Sequence, residues 1–256
     1  RKVAREIAAA SFVLLKNEGD ILPLRKAGKI AIIGPLGNNK ANTTGTWSVS
    51  SNFTDPVTIY EGMKELLAGK AEVSYAKGSF LDADSLFELR AGDFGKNFPR
   101  QGKTNEQLLQ EALQLAQNSD VIIATVGESA EMSGESSSRT NLNIPEAQQN
   151  LIRELMKTGK PVVLVLFTGR PLTLQWEEKN VPAILNIWFP GTEAGYAVTD
   201  VLFGDVNPSG KLTATFPQNV GQIPIYYSHK NTGRPLPEGK WFSKFTSNYL
   251  DVSNEP

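Results

Sequence analysis

Apolar residues along the chain fall into two kinds of pattern. Short, nearly continuous runs occur at Ile30-Ala31-Ile32-Ile33, at 71–75, at 121–126, at 162–167 and at 183–189. They are too short for helices and rich in β-branched residues, so each predicts a buried strand. Between them, at 57–67, 105–117, 145–156 and 193–202, apolar residues recur at helical spacing. An opening stretch with Val3, Ile7, Ala8, Phe12 and Leu15 predicts a leading helix over 3–15. Continuous apolar strands alternating with amphipathic helices imply a parallel sheet covered on both faces, built from right-handed βαβ units. The expected fold is α/β, a three-layer sandwich around a mostly parallel sheet of about six strands, doubly wound in the flavodoxin manner. A last run, Lys211 to Phe216, follows the turn Asn207-Pro208-Ser209-Gly210 and is expected to add at an edge, where an antiparallel pairing is possible.

The pattern changes at Gly221. Beyond it come Pro224, Pro235 and Pro237, polar residues, and the aromatics Tyr226, Tyr227, Trp241, Phe242, Phe245 and Tyr249. Such a segment reads as an extended connector whose aromatics need another surface to cover them. The chain therefore divides into a lead-in over 1–28, a sandwich over 29–220 and a connector over 221–256. Both ends read as cut from something longer.

Composition narrows the chemistry. The 256 residues carry 26 Lys plus Arg against 27 Asp plus Glu, a net charge of −1, so no global field draws in nucleic acid or anionic lipid. No apolar run approaches the roughly 20 residues of a membrane span. With no Cys and one His, thiol catalysis, disulfide scaffolding, Cys-rich zinc sites and two-histidine sites are excluded, and neither a metal nor a cofactor is expected. Carboxylate, hydroxyl and backbone chemistry remain.

Ligands of open parallel sheets bind beyond the carboxyl ends of the strands. Two long polar loops lie there, one running from Gly34 through Ser48 and one from Gly127 through Arg139. Glycines in the first invite a phosphate-loop reading, but it has no G-x-G-x-x-G and no Gly-Lys-Ser/Thr ending, and the next helix begins some twenty residues later. Trp47 in that loop stands outside any apolar periodicity, and it is either a stacking platform or a cap on the sheet. The second loop holds Glu128, Glu131 and Glu135 without the Asp/Asn-Gly alternation of a calcium loop. It is either a solvated acidic loop or the carrier of a general acid, a role that needs a carboxyl perturbed by burial or by a second carboxylate. His229 is expected in a surface connector, and Arg170 is expected to pair with a carboxylate such as Glu128.

Several stretches together resemble the middle domain of glycoside hydrolase family 3, in its periplasmic bacterial β-glucosidase branch. They include Ala8 through Asn17, Ile32-Ile33-Gly34-Pro35-Leu36, Gly45-Thr46-Trp47-Ser48, Val126-Gly127-Glu128, the run from Ser133 through Arg139, Gly169-Arg170-Pro171-Leu172, the run from Trp188 through Gly195, and that from Leu202 through Leu212. The resemblance covers essentially the whole chain. It implies a retaining β-glycosidase acting on terminal β-D-glucosyl residues, with two carboxyls about 5 Å apart across the scissile bond. It further implies a nucleophile in a preceding (β/α)8-type barrel and a general acid/base in the loop from Glu128 to Arg139. A fibronectin-III-like domain would follow the connector. Within the loop the resemblance favours Glu135 as acid/base, with Glu128 second and Glu131 third, and it makes Trp47 a wall of the sugar pocket. The implied partners are a β-glucoside or oligosaccharide and the two neighbouring domains, and the implied location is periplasmic or secreted. The chain alone is expected to be inactive. A non-catalytic sugar- or nucleotide-binding α/β module is the alternative reading.

Overall fold

The computed structural model describes residues 1–49, 52–100, 102–228, 230, 233–240 and 242–256. His229 and Trp241, singled out above, lie outside the described residues. Among the described residues six strands form one sheet: β1 (Val13–Asn17), β2 (Gly28–Ile33), β3 (Ala71–Ala76), β4 (Val121–Gly127), β5 (Val162–Phe167) and β6 (Ala183–Asn186), in the order β1-β6-β5-β4-β2-β3. Strands β2 to β6 are parallel, and β1 pairs antiparallel with β6, Val13 opposite Asn186. Leaving out β1, the spatial order is the flavodoxin-like one, with the direction of winding reversing between β2 and β4.

Side-chain alternation on the strands builds two cores. Ile30 and Ile32 face one side, where α1 (Lys2–Ser11), α2 (Ile59–Leu66) and α7 (Ala194–Leu202) cover them through Ala9, Met63 and Val198. Ala31 and Ile33 face the other side, against α4 (Asn105–Gln117) and α5 (Glu146–Met156) through Ala112 and Leu151. All six residues of β5 are buried, as a central strand covered on both faces demands. Helix α1 is locked to α7 by Arg5, whose Nε and Nη2 donate to the two carboxylate oxygens of Asp200, each at 2.5 Å. Thr58 and Glu61 cap α2, and Thr104 and Gln107 cap α4, with reciprocal hydrogen bonds.

Three expectations need correction. The leading helix stops at Ser11, because Phe12 turns extended (φ −70°, ψ 139°) and the next five residues form β1. The run Phe12-Val13-Leu14-Leu15 suits either structure by its own pattern, and pairing with β6 decides it. Residues 211–216 form no strand, and the place beside β6 goes to β1 instead. Strand β6 ends at Asn186, and Trp188 sits in the left-handed region at φ 53°, which a strand cannot continue through. Two six-residue helices, α3 (Ser85–Arg90) and α6 (Gln175–Asn180), were too short to show a periodicity.

Among the described residues beyond Gly221 no regular element follows the short turn over Val220–Gln222. The segment is tied back where Gln222 Nε2 donates to the carbonyls of Ser253 and Glu255. Tyr227 is 99% exposed and Phe245 77%.

Candidate active site

The winding reversal places the loops after β2 and β4 side by side, and this is the crevice where open α/β sheets hold ligands. The loop after β2 is packed down at its start. A Cβ at Gly34 would lie 2.1 Å from the Thr125 carbonyl oxygen, and one at Gly37 would lie 2.5 Å from Thr125 Oγ1. These glycines serve close packing against β4. With the first turn of α2 already capped by Thr58, the phosphate-loop reading has no support.

Each of the three glutamates in the loop after β4 has a different environment. Glu128 is fully buried, and its Oε1 lies 2.8 Å from Arg139 Nη1 and 3.0 Å from Arg170 Nε. Its Oε2 accepts from Thr168 Oγ1 at 3.0 Å and from the Gly169 amide at 3.1 Å. Both oxygens are thus engaged, as a buried carboxylate requires. Arg170 pairs with Glu128 as expected, and its guanidinium also donates to the carbonyls of Met132 and Ser137 across the loop.

Glu131 is held by Lys96, whose ammonium lies 2.5 Å from Oε1 with both side chains nearly buried. Lys96 Nζ also donates to the Gly45 carbonyl at 3.0 Å and sits over the Phe53 ring. Thr46 Oγ1 donates to Glu131 Oε2 at 3.0 Å. Asn42 completes the junction, accepting from the Ala130 amide and donating to the Lys96 carbonyl. Glu131 therefore fastens the loop carrying Trp47 to the loop carrying Glu135. Lys96 was not flagged from the sequence, because it lies in a polar stretch with no motif around it.

Glu135 is exposed, and its carboxylate has no partner among the described residues. It sits at a tight tip, between Gly134 (φ 113°) and Ser136 (φ 58°). A Cβ on Gly134 would lie 2.3 Å from Thr46 Cγ2, so only glycine lets the two loops touch there. Trp47 and Glu135 each follow one member of that contact, and Trp47 is 71% exposed. It does not cap the sheet. Among the described residues no group of three or more His, Cys, Asp or Glu side chains could hold a metal ion.

The molecule is thus a doubly wound α/β domain whose switch-point loops carry an unpaired carboxylate and an open indole. Residues 12–249 match the model of the glycosyl hydrolase family 3 C-terminal domain, and the chain belongs to that family. It is 46% identical over 256 residues to a periplasmic beta-glucosidase of Salmonella typhimurium, covering all of this chain and 33% of the relative. It is 36% identical over 233 residues to a beta-xylosidase of Formosa agariphila, covering 89% of this chain and 30% of the relative. A beta-glucosidase from Listeria innocua, solved in complex with isofagomine, superposes with a TM-score of 0.85 at 36% identity, over 100% of this chain and 32% of that one. The chain spans about a third of the length of the curated relatives it matches.

Proposed function

We propose that this chain is the acid/base-bearing domain of a retaining β-glycosidase that removes terminal β-D-glucosyl residues, with Glu135 as general acid/base and Trp47 as a wall of the sugar pocket. The observation that carries the reading is the difference among the loop glutamates. Glu128 and Glu131 are committed to cations of this chain, whereas Glu135, next to the point where Gly134 meets the Thr46 side chain, has a carboxylate without a partner among the described residues. In the first step Glu135 gives its proton to the leaving oxygen as a second carboxylate attacks the anomeric carbon. In the second it takes a proton from the water that releases the sugar.

The second carboxylate is assigned to a (β/α)8-type barrel preceding the lead-in 1–28, with 29–220 as the sandwich. A fibronectin-III-like domain follows the connector 221–256, whose exposed aromatics it covers. A β-glucoside or oligosaccharide is the substrate, no cofactor is involved, and the isolated chain is inactive. The periplasmic relative supports a periplasmic or secreted location. No helix among the described residues is long and apolar enough to cross a membrane.

The test is Glu135→Gln in the barrel-containing protein. Turnover of an alkyl β-glucoside, a poor leaving group, should fall roughly 10²- to 10⁴-fold, the usual worth of general acid/base catalysis. An aryl glucoside with an acidic phenol should lose much less in its first step. Undiminished turnover of the poor leaving group would overturn the assignment. Trp47→Ala should raise KM for disaccharides with the fold intact.

A further inference from the structure

Away from the switch-point loops, α5, α6 and residues 218–220 enclose a polar cleft of about 290 Å³. Small-molecule pockets run from roughly 300 to 1,000 Å³, so this one suits a compact ligand. Its lining residues include Asn141, Asn143, Gln149, Gln218, Trp176 and Glu177, but neither Trp47 nor Glu135. The walls are braced where Asn143 bridges to Thr173.

Glu177 is the informative group. It is 1% exposed, yet its one side-chain partner among the described residues is Gln149 Nε2, at a long 3.3 Å. A carboxylate offers about four acceptor positions. Burial pushes this carboxyl above its ordinary value, against the hydrogen bonds from backbone and Gln149 and the charge of Arg153. The Arg153 guanidinium lies over the Trp176 ring, 5.4 Å from its centre. Among the described residues Glu177 has only a backbone N–H and the Gln149 amide as donors. Of the wall amides, Gln218 Nε2, Asn143 Oδ1 and Asn141 Oδ1 are already engaged within the chain, which leaves the Asn141 and Asn143 NH2 groups as donors and the Gln149 and Gln218 carbonyls as acceptors for a ligand.

A neutral ligand bearing several neighbouring hydroxyls answers both needs. Glu177 disfavours an anion, and Arg153 beside it disfavours a cation. We propose that this cleft is a saccharide-binding site, separate from the switch-point loops, that holds one neutral sugar ring through Glu177, the surrounding amides and the Trp176 wall. The proposal does not depend on the role given to Glu135.

The experiment is an NMR titration of the isotope-labelled 256-residue chain with methyl β-D-glucoside and cellobiose, with linear sorbitol as the comparison polyol. Saturable shifts are expected at residues 141–153, at 173–177 and at the Trp176 indole N–H, with sorbitol giving none. Glu177→Leu, checked for folding by thermal melting, should weaken binding about tenfold or more, the worth of a charge-assisted hydrogen bond. Gln149→Ala, at a half-buried position, should weaken it as well, providing a second reading if the first variant fails to fold. The shifts at 141–153 and 173–177 should persist in Trp47→Ala, whatever becomes of any shifts at 35–48 and 133–137. No saturable shift, shifts that survive both cleft substitutions, or an equal response to sorbitol would overturn the proposal. Shifts confined to 35–48 and 133–137 would overturn it too, while supporting the role given to Trp47 and Glu135.

Discussion

Glu128 Oε1 and Arg139 Nη1, at the two ends of one acidic loop, are ion-paired at 2.8 Å, so the loop is stapled at its base. Arg170 reaches across from the neighbouring loop to the carbonyls of Met132 and Ser137, and Lys96 holds Glu131. What remains free is the tip with Glu135. Fixing both flanks limits how far the tip can wander, which is how a side chain on a loop can be presented in a defined position.

Glu128→Gln tests the staple. It leaves Arg139 and Arg170, 11% and 21% exposed, facing a neutral amide. Breaking a buried pair from one side typically costs 3–5 kcal/mol, and with Arg170 able to turn towards water the loss should be about 3 kcal/mol. Urea denaturation measures it, and a loss under about 1 kcal/mol would show that the staple is not under load.

Lys96→Met leaves Glu131 without its cation in a nearly dry site and should cost about 3 kcal/mol. Removing both charges, in Lys96→Met with Glu131→Met, should recover part of that loss. The indole N–H of Trp47 should broaden or shift in the single variant, since Lys96 also holds the Gly45 carbonyl.

Gly134→Ala forces a methyl onto Thr46 at a φ reserved for glycine, and should cost of order 1–3 kcal/mol. On the role proposed for Glu135, kcat/KM of the longer protein should fall further than stability explains, because the tip that carries Glu135 is displaced. Adding Thr46→Ser removes the clashing methyl and should return part of the activity. No recovery would separate the backbone strain from the loop contact.

Glu177 supplies a pH dependence. Its raised pKa means that this group binds its proton more readily in the folded chain than in the unfolded one, so its own contribution to stability is fully present below the ordinary value of 4.5 and is lost as pH rises through the window up to the raised value. Glu177→Gln should flatten that fall. Melting temperatures across pH 4 to 8 for both proteins, with parallel curves as the contrary result, check it.

Much of the fold was legible along the chain. The strand runs at 30–33, 121–126 and 162–167 are apolar at every or nearly every position because both faces of a central parallel strand are buried, and that requirement is written locally. The helix over Asn105–Gln117 matches its periodicity end to end. The order of elements pointed to the loops at the carboxyl ends of the strands, and length and polarity singled out those after β2 and β4. At 12–15 four apolar residues in a row satisfied a helix face and a strand equally, and only the open edge of β6 settled the matter.

The sequence by itself determined which segments are buried, hence the layered α/β architecture, and which loops are polar enough to carry chemistry. Tertiary structure decided which carboxylate is free. The resemblance ranks Glu135 first and Arg170 is expected to pair with Glu128, but what ties down Glu128 and Glu131 is Arg139 at the far end of the loop together with Arg170 and Lys96, which reach them from other parts of the chain. Burial follows from a periodic pattern over a few neighbouring residues. Charge pairing depends on distances of a few ångströms between residues far apart in sequence, and only the folded chain sets those.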